Sequence, residues 1–211
     1  MRIDVFSDVV CPWCYVGKRH LEAALGQAGV TDAEIHWHAF QLNPDLPPEG
    51  MDRRAYLMAK FGTEGVERIH ERVQEAGRAA GIAFEFENIR RSPNTFDAHR
   101  LLQLAGPRQG ALKEALMRAY FLEGRDVGDR ATLAAIAVRT GIEGDVQALL
   151  AGDAGAQAVR DDLALAGRIG ISGVPFFIFG GRYALAGAQP PQVLAQALQA
   201  ARNAPAAGPI G

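Results

Sequence analysis

Cysteine is almost absent from this chain of 211 residues, with one at position 11 and one at position 14. Two cysteines cannot build a multi-disulfide scaffold, and the two-residue loop between them leaves a structural disulfide little chain entropy to remove. Excess charge is lacking too: a net charge of −2 and a pI near 6.2, with Lys and Arg scattered, give no electrostatic case for nucleic acid or an anionic membrane. No apolar run approaches membrane-spanning length. Residue 1 opens a strand pattern without a charged leader, an apolar signal core or a small-residue cleavage site, so a cytoplasmic location is expected. There is no internal repeat. What is abundant is apolar residues, 48% of the chain, enough for a sizeable core in one domain or in one domain carrying an insertion.

All the sulfur chemistry therefore lies in Cys11-Pro12-Trp13-Cys14. In a reducing compartment an isolated Cys-x-x-Cys is catalytic or metal-binding more often than structural. The motif follows a strand-like Met1–Phe6 and leads, at a helix start, into a helix-like stretch from Tyr15 to about Ala28. That spacing puts both sulfurs within one turn, close enough to bond. Unpaired N–H groups at the helix start favour a thiolate at Cys11. Cys11 is expected to be the exposed attacking sulfur and Cys14, one turn deeper, the resolving one.

Alternation of Ile35, Trp37 and Ala39 with His36, His38 and Phe40 predicts a second strand over Glu34–Phe40, so the chain starts β-α-β. After the break Asn43-Pro44-Asp45-Leu46-Pro47-Pro48, the stretch from Met51 to about Leu150 is helical in pattern. Its clearest helix is predicted over Glu64–Ala80, stopped by Gly81, and Phe84 and Phe86 suggest a short extended piece. Further helices are predicted near residues 95–105, 109–123, 130–140 and 145–151. Asp153 is expected to cap another through Arg168. Pro175-Phe176-Phe177-Ile178-Phe179, Gly180-Gly181 and Arg182-Tyr183-Ala184-Leu185 read as a hairpin, its first strand buried on both faces. Pro190 opens a last helix, and an Ala, Pro and Gly-rich tail follows.

This order of elements, with Cys-x-x-Cys at the first helix and proline at the returning strand, resembles a thioredoxin fold; the helical block between its halves resembles the DsbA-like superfamily. Four segments, Ser7-Asp8-Val9-Val10-Cys11-Pro12-Trp13-Cys14, Phe40-Gln41-Leu42-Asn43-Pro44, Ser92-Pro93-Asn94-Thr95-Phe96-Asp97-Ala98-His99-Arg100 and Gly173-Val174-Pro175-Phe176, are similar to its FrnE-like cytosolic branch. That branch is related to 2-hydroxychromene-2-carboxylate isomerases and kappa-class glutathione transferases. The resemblance implies an α/β class: a thioredoxin-like domain from residues 1–43 and 152–203, an all-helical insertion at 44–151 and a flexible tail at 204–211. It also implies a cis Val174–Pro175 bond beside the cysteines, with Val174 pairing with an extended substrate and Pro12, Trp13, Val174 and Pro175 forming the substrate-binding surface.

The leading expectation is a thiol–disulfide oxidoreductase in which Cys11 attacks and Cys14 resolves, acting on client proteins or small thiols and disulfides. It needs no cofactor beyond the Cys11–Cys14 disulfide and admits glutathione as co-substrate; monomer or dimer is undetermined. The alternative is a glutathione-dependent isomerase or transferase. Those relatives usually carry serine at position 11 and no second cysteine, and tend to place an acid before the last helix, where this chain has Ala188-Gln189-Pro190. A third class, a non-catalytic peptide-binding module, requires an inert Cys11. A zinc site from Cys11, Cys14, His36 and His38 is disfavoured by their spacing, and no metal is expected. Lys18 and His20 are expected to face water. Asp8 reads as a loop residue for which a proton-relay role lacks support, and Asn94, Thr95 and His99 as a helix cap and cavity-lining candidates.

Overall fold

Strand β1 (Arg2–Ser7) carries the fold because it is paired on both sides. In the computed structural model, which describes residues 1–203, it runs parallel to β2 (Glu34–Ala39) and antiparallel to β5 (Phe176–Phe179), which pairs in turn with β6 (Tyr183–Ala186). The sheet order is β2-β1-β5-β6. Period-two alternation sends Ile3 and Val5 to one face, where α1 (Pro12–Gln27) and α8 (Pro191–Asn203) cover them with Leu21, Ala24, Leu194 and Leu198. Phe6 and Ile178 face the other way, against Leu165 and Ala166 of α7 (Ala156–Arg168). Positive φ at Gly180 and Gly181 closes the hairpin between β5 and β6 as their pairing in the sequence anticipates.

Between β2 and α7 the chain builds a second core from α2 (Arg53–Ala79), α3 (Phe96–Leu104), α4 (Gln109–Phe121), α5 (Arg130–Arg139) and α6 (Val146–Ala151). Asp129 and Asp145 cap α5 and α6, each accepting from an amide three residues on. The buried Arg100 guanidinium donates to the carbonyls of Leu149, Leu150, Gly152 and Ala154, and so closes the C-terminal end of α6.

Several expectations need correction. α2 starts eleven residues earlier than its clearest pattern, at Arg53, and bends at Gly62, whose φ is 67°. Met51–Asp52 and Arg91–Ser92 pair as a small ladder, β3 and β4, inside the stretch that reads as wholly helical. Phe84 and Phe86 are not a strand: residues 86–88 form a 3-10 turn, and both rings pack against Phe121. Asp153 does not cap α7; Gly155, at φ 74°, does so. The tail assigned to residues 204–211 lies outside the described residues.

Candidate active site

Cys11 is the N-cap of α1, with Pro12 in the first turn where no amide hydrogen is needed. No side chain caps this helix end, so its partial positive charge falls on the Cys11 sulfur. The Cys14 and Tyr15 amides both donate to the Cys11 carbonyl, which fixes the two cysteines one turn apart. Both thiols are free. Cys11 is only 4% exposed and Cys14 1%, so the expectation of an openly exposed attacking sulfur is corrected. The sulfur of Cys11 is reached through a cavity instead.

That cavity, about 390 Å³, lies between the start of α1 and α2. Val10, Trp13, Phe61, Phe86 and Val174 make it mainly apolar, and Arg53 and Lys60 add two cations. Lys60 Nζ donates to Asn43 Oδ1 at 2.7 Å and Tyr56 Oη at 2.8 Å, and Arg53 Nη1 to Tyr120 Oη at 2.8 Å. Pro12 and Trp13 line the mouth beside the cysteine.

The Val174–Pro175 bond is cis, and the Val174 carbonyl lies 3.7 Å from the Cys11 sulfur, accepting from its thiol. Gly17 makes this approach possible. A Cβ there would sit 2.8 Å from Pro175 Cγ and 3.2 Å from Phe177 Cζ, so only glycine lets α1 close on the proline loop.

Behind the cysteines is a buried polar group that the sequence reading largely missed. Asp8, in the loop joining β1 to α1, is fully buried; its carboxylate lies 3.2 Å from His99 Nε2 and accepts from the Leu42 amide at 2.8 Å. Burial pushes this carboxyl up, but His99 and the Leu42 amide outweigh it and hold Asp8 below the ordinary carboxylate range. Lys113, on α4, is also fully buried. Its Nζ donates to the Ser7 carbonyl at 3.3 Å and lies 5.6 Å from the centre of the Trp37 ring. Burial pushes the ammonium down to about 8, although Cys14, Asp8 and Cys11 pull it the other way. Cys14 is raised well above the usual thiol range, chiefly by burial, then by its hydrogen bond to Cys11 and the Cys11 charge; Lys113 and the Asp8 backbone oppose the rise.

Two further expectations are corrected. Lys18 does not face water: it is buried and ion-paired with Glu22 and Glu114. His20 is half-buried, its Nδ1 2.9 Å from the Gln189 carbonyl. The histidines of β2 do not converge on the cysteines. His36 is exposed, while His38 bridges Asp4 at 2.8 Å and Asp162 at 2.6 Å. Among the described residues no three of His, Cys, Asp and Glu gather to hold a metal. Asn94 rather than Thr95 supplies the side-chain bond at the start of α3, accepting from the Phe96 amide.

A four-stranded sheet flanked by α1 and α8, with a dithiol capping α1 against a cis-proline loop, is the architecture of a thioredoxin-fold protein. The chain belongs to the DSBA-like thioredoxin domain family, which matches residues 2–199, and members of that family are disulfide oxidoreductases. It is 34% identical to a structure described as a probable DsbA oxidoreductase from Streptomyces coelicolor, with TM-score 0.89 over 99% of this chain and 93% of that one. It shares the fold of the cytosolic disulfide reductase DsbM from Pseudomonas aeruginosa (19% identity, TM-score 0.63, 96% of each chain). A 2-hydroxychromene-2-carboxylate isomerase has the same fold (15% identity, TM-score 0.70, 95% of each chain). A curated relative, the uncharacterized protein YwbO of Bacillus subtilis (strain 168), is 26% identical over 150 residues, 68% of each. Among the described residues no helix is long and apolar enough to cross a membrane.

Proposed function

We propose that this protein catalyses thiol–disulfide exchange through Cys11 and Cys14, within the FrnE-like cytosolic branch that its four motifs resemble. The observation that carries the reading is the placing of the cysteines: Cys11 opens on the cavity with its thiol on the Val174 carbonyl, and Cys14 lies one turn further into α1, buried, its amide donating to the Cys11 carbonyl. Cys11 attacks a substrate disulfide to form a mixed disulfide; Cys14 then attacks Cys11 and releases the substrate as a thiol. Trp13 and Val174 offer the substrate an apolar wall, and Pro12 and Pro175 shape the backbone on either side. Substrates are client proteins or small thiols and disulfides, in a reducing compartment such as the cytoplasm. No cofactor beyond the cysteine pair is required.

A second reading, glutathione-dependent isomerisation or transfer, draws on Arg53 and Lys60, whose charges suit the carboxylates of a small peptide. The solved relatives include DsbM with GSH. In this chain, glutathione fits better as a co-substrate of exchange, because a second cysteine stands ready to resolve any mixed disulfide.

The test is equilibration in graded reduced and oxidised glutathione, followed by thiol trapping and mass readout. The expected result is one two-electron transition between dithiol and disulfide in the wild type. Cys11→Ser should lose exchange and Cys14→Ser should accumulate a mixed disulfide. Thiols unchanged across the whole series would overturn the reading in favour of the isomerase.

A further inference from the structure

The cavity over Cys11 carries charge of one sign. Among the described residues that line it there is no Asp or Glu, while Arg53 and Lys60 of α2 both do. The oxygens that hold these cations, Tyr120 Oη for Arg53 and Asn43 Oδ1 and Tyr56 Oη for Lys60, belong to neutral groups. Other cations of the fold are placed differently: Arg2, Lys18, Arg19 and Arg100 each meet a carboxylate. Arg53 is held without being neutralised, its guanidinium 5.9 Å from the centre of the Phe86 ring and 5.7 Å from that of Tyr120. A single bond to Tyr120 leaves most of the guanidinium fork unspent. His70, stacked on Phe86 in the same wall, adds little charge at neutral pH: burial first, then Arg53, hold it below its ordinary value against the pull of Glu87.

The rest of the wall is apolar. Trp13 stands beside Cys11 in the motif, Val174 meets its sulfur, and Phe61 and Phe86 continue the surface. With a volume of about 390 Å³, the space lies near the lower end of the range for small-molecule sites. A carboxylate entering it exchanges water for two fixed cations, and an apolar body takes the aromatic walls out of water. An ammonium finds no acid in this wall. A zwitterion such as glutathione therefore loses through its amino group part of what its carboxylates gain.

We propose that this cavity selects small disulfides that join an apolar body to a carboxylate, with Arg53 and Lys60 as the residues that set the preference. The inference rests on the exchange reading above and narrows its substrates to one chemical class. The Cys11 thiolate attacks the nearer sulfur of the substrate; the new Cys11–substrate bond forms, and the other half leaves as a thiolate with the electron pair of the broken bond. The Cys14 thiolate then attacks Cys11, and the second half leaves in the same way. The cysteine pair is oxidised to a disulfide, the substrate is reduced by two electrons to two thiolates, and the two cysteine protons pass to solvent.

The test uses the whole reduced protein. 2-Naphthoate, an apolar carboxylate without sulfur, should half-protect Cys11 from iodoacetamide at a concentration roughly tenfold below that needed of neutral 2-naphthamide or of S-methylglutathione. In exchange, the rate with 5,5′-dithiobis(2-nitrobenzoate) divided by the rate with neutral 4,4′-dithiodipyridine should fall about three- to tenfold in Arg53→Met. The fall should be smaller in Lys60→Met, because Arg53 is half-buried and Lys60 exposed, and Lys60→Arg should keep the wild-type ratio. Should Arg53→Met fail to fold, the salt dependence of the wild type decides. Added salt should lower the same ratio; the chain's net charge of −2 repels anions, so screening it would raise the ratio instead. Equal protection by 2-naphthoate and 2-naphthamide, stronger protection by S-methylglutathione, or a ratio unmoved by salt overturns the inference. Cysteines that form no disulfide with either reagent would remove the exchange reading itself, whatever the protection experiment gives.

Discussion

At the residue scale, His38, whose spacing from the cysteines disfavoured a zinc site, is a structural charge instead. Burial pushes its imidazole down, but its hydrogen bonds to the Asp162 and Asp4 carboxylates outweigh this and raise it to about 9 from the ordinary 6.5. The folded value lies above the unfolded one, so the stabilisation is complete below about pH 6.5 and is lost as pH rises through about 9. The full effect is of the order of 3 kcal/mol. His38→Gln should therefore lower the urea midpoint strongly in mild acid and little in alkali, and an equal deficit at both would show that packing on Phe6, not charge, is what His38 provides. The comparison must be between variant and wild type, because Lys113 works oppositely. Its depressed value makes stability rise between about pH 8, where the folded lysine loses its proton, and 10.5, where the unfolded one does. Cys11 and Cys14 were legible because their chemistry is fixed by a spacing of three along the chain. Lys113 was not, since it lies about a hundred residues from them and a lysine on a helix ordinarily faces water.

At the element scale, the contact of α1 with the proline loop depends on Gly17. Gly17→Ala gains helix propensity of up to about 1 kcal/mol, but the added methyl meets a proline ring that has nowhere to turn. Overpacking of this kind costs about 1–3 kcal/mol. The expected outcome is a lower thermal midpoint together with slower exchange at Cys11, because Val174 is pushed off the sulfur; a more stable variant with unaltered exchange would show that the loop yields freely. Elements with strong periodicity, β1, β2, β5 and most helices, were readable within a residue or two. The two-residue strands β3 and β4 were too short to carry any pattern. The first half of α2 falls in the stretch read as helical in pattern, but its periodicity is blurred by Gly62 and by apolar residues such as Met58 and Phe61 that stay exposed.

At the scale of the whole molecule, the cysteines belong to the helical core as much as to the sheet. Cys11, Cys14, Tyr15 and Val16 pack into one cluster with residues of α2 to α6, and Tyr15, Lys18 and Arg19 all bind Glu114 on α4. The helical segment therefore walls the cysteine pair and limits what can enter. Iodoacetamide should modify Cys11 in the native protein while sparing Cys14, and a maleimide carried on a long polymer should react with Cys11 far more slowly. Mass spectrometry with and without denaturant reads both; equal native labelling of the two thiols would mean that this wall does not hold.

The Cys11 sulfur meets the carbonyl of a residue 163 positions further along the chain. During synthesis at about 5–20 residues per second, the dithiol emerges on the order of ten to thirty seconds before Val174 exists to meet it. The strand that closes β1 on its second side is made later still, so a nascent chain holds two cysteines with no finished surroundings. Ribosome-bound fragments that end before β5 therefore carry the thiol pair without the Val174 carbonyl that it meets in the finished fold.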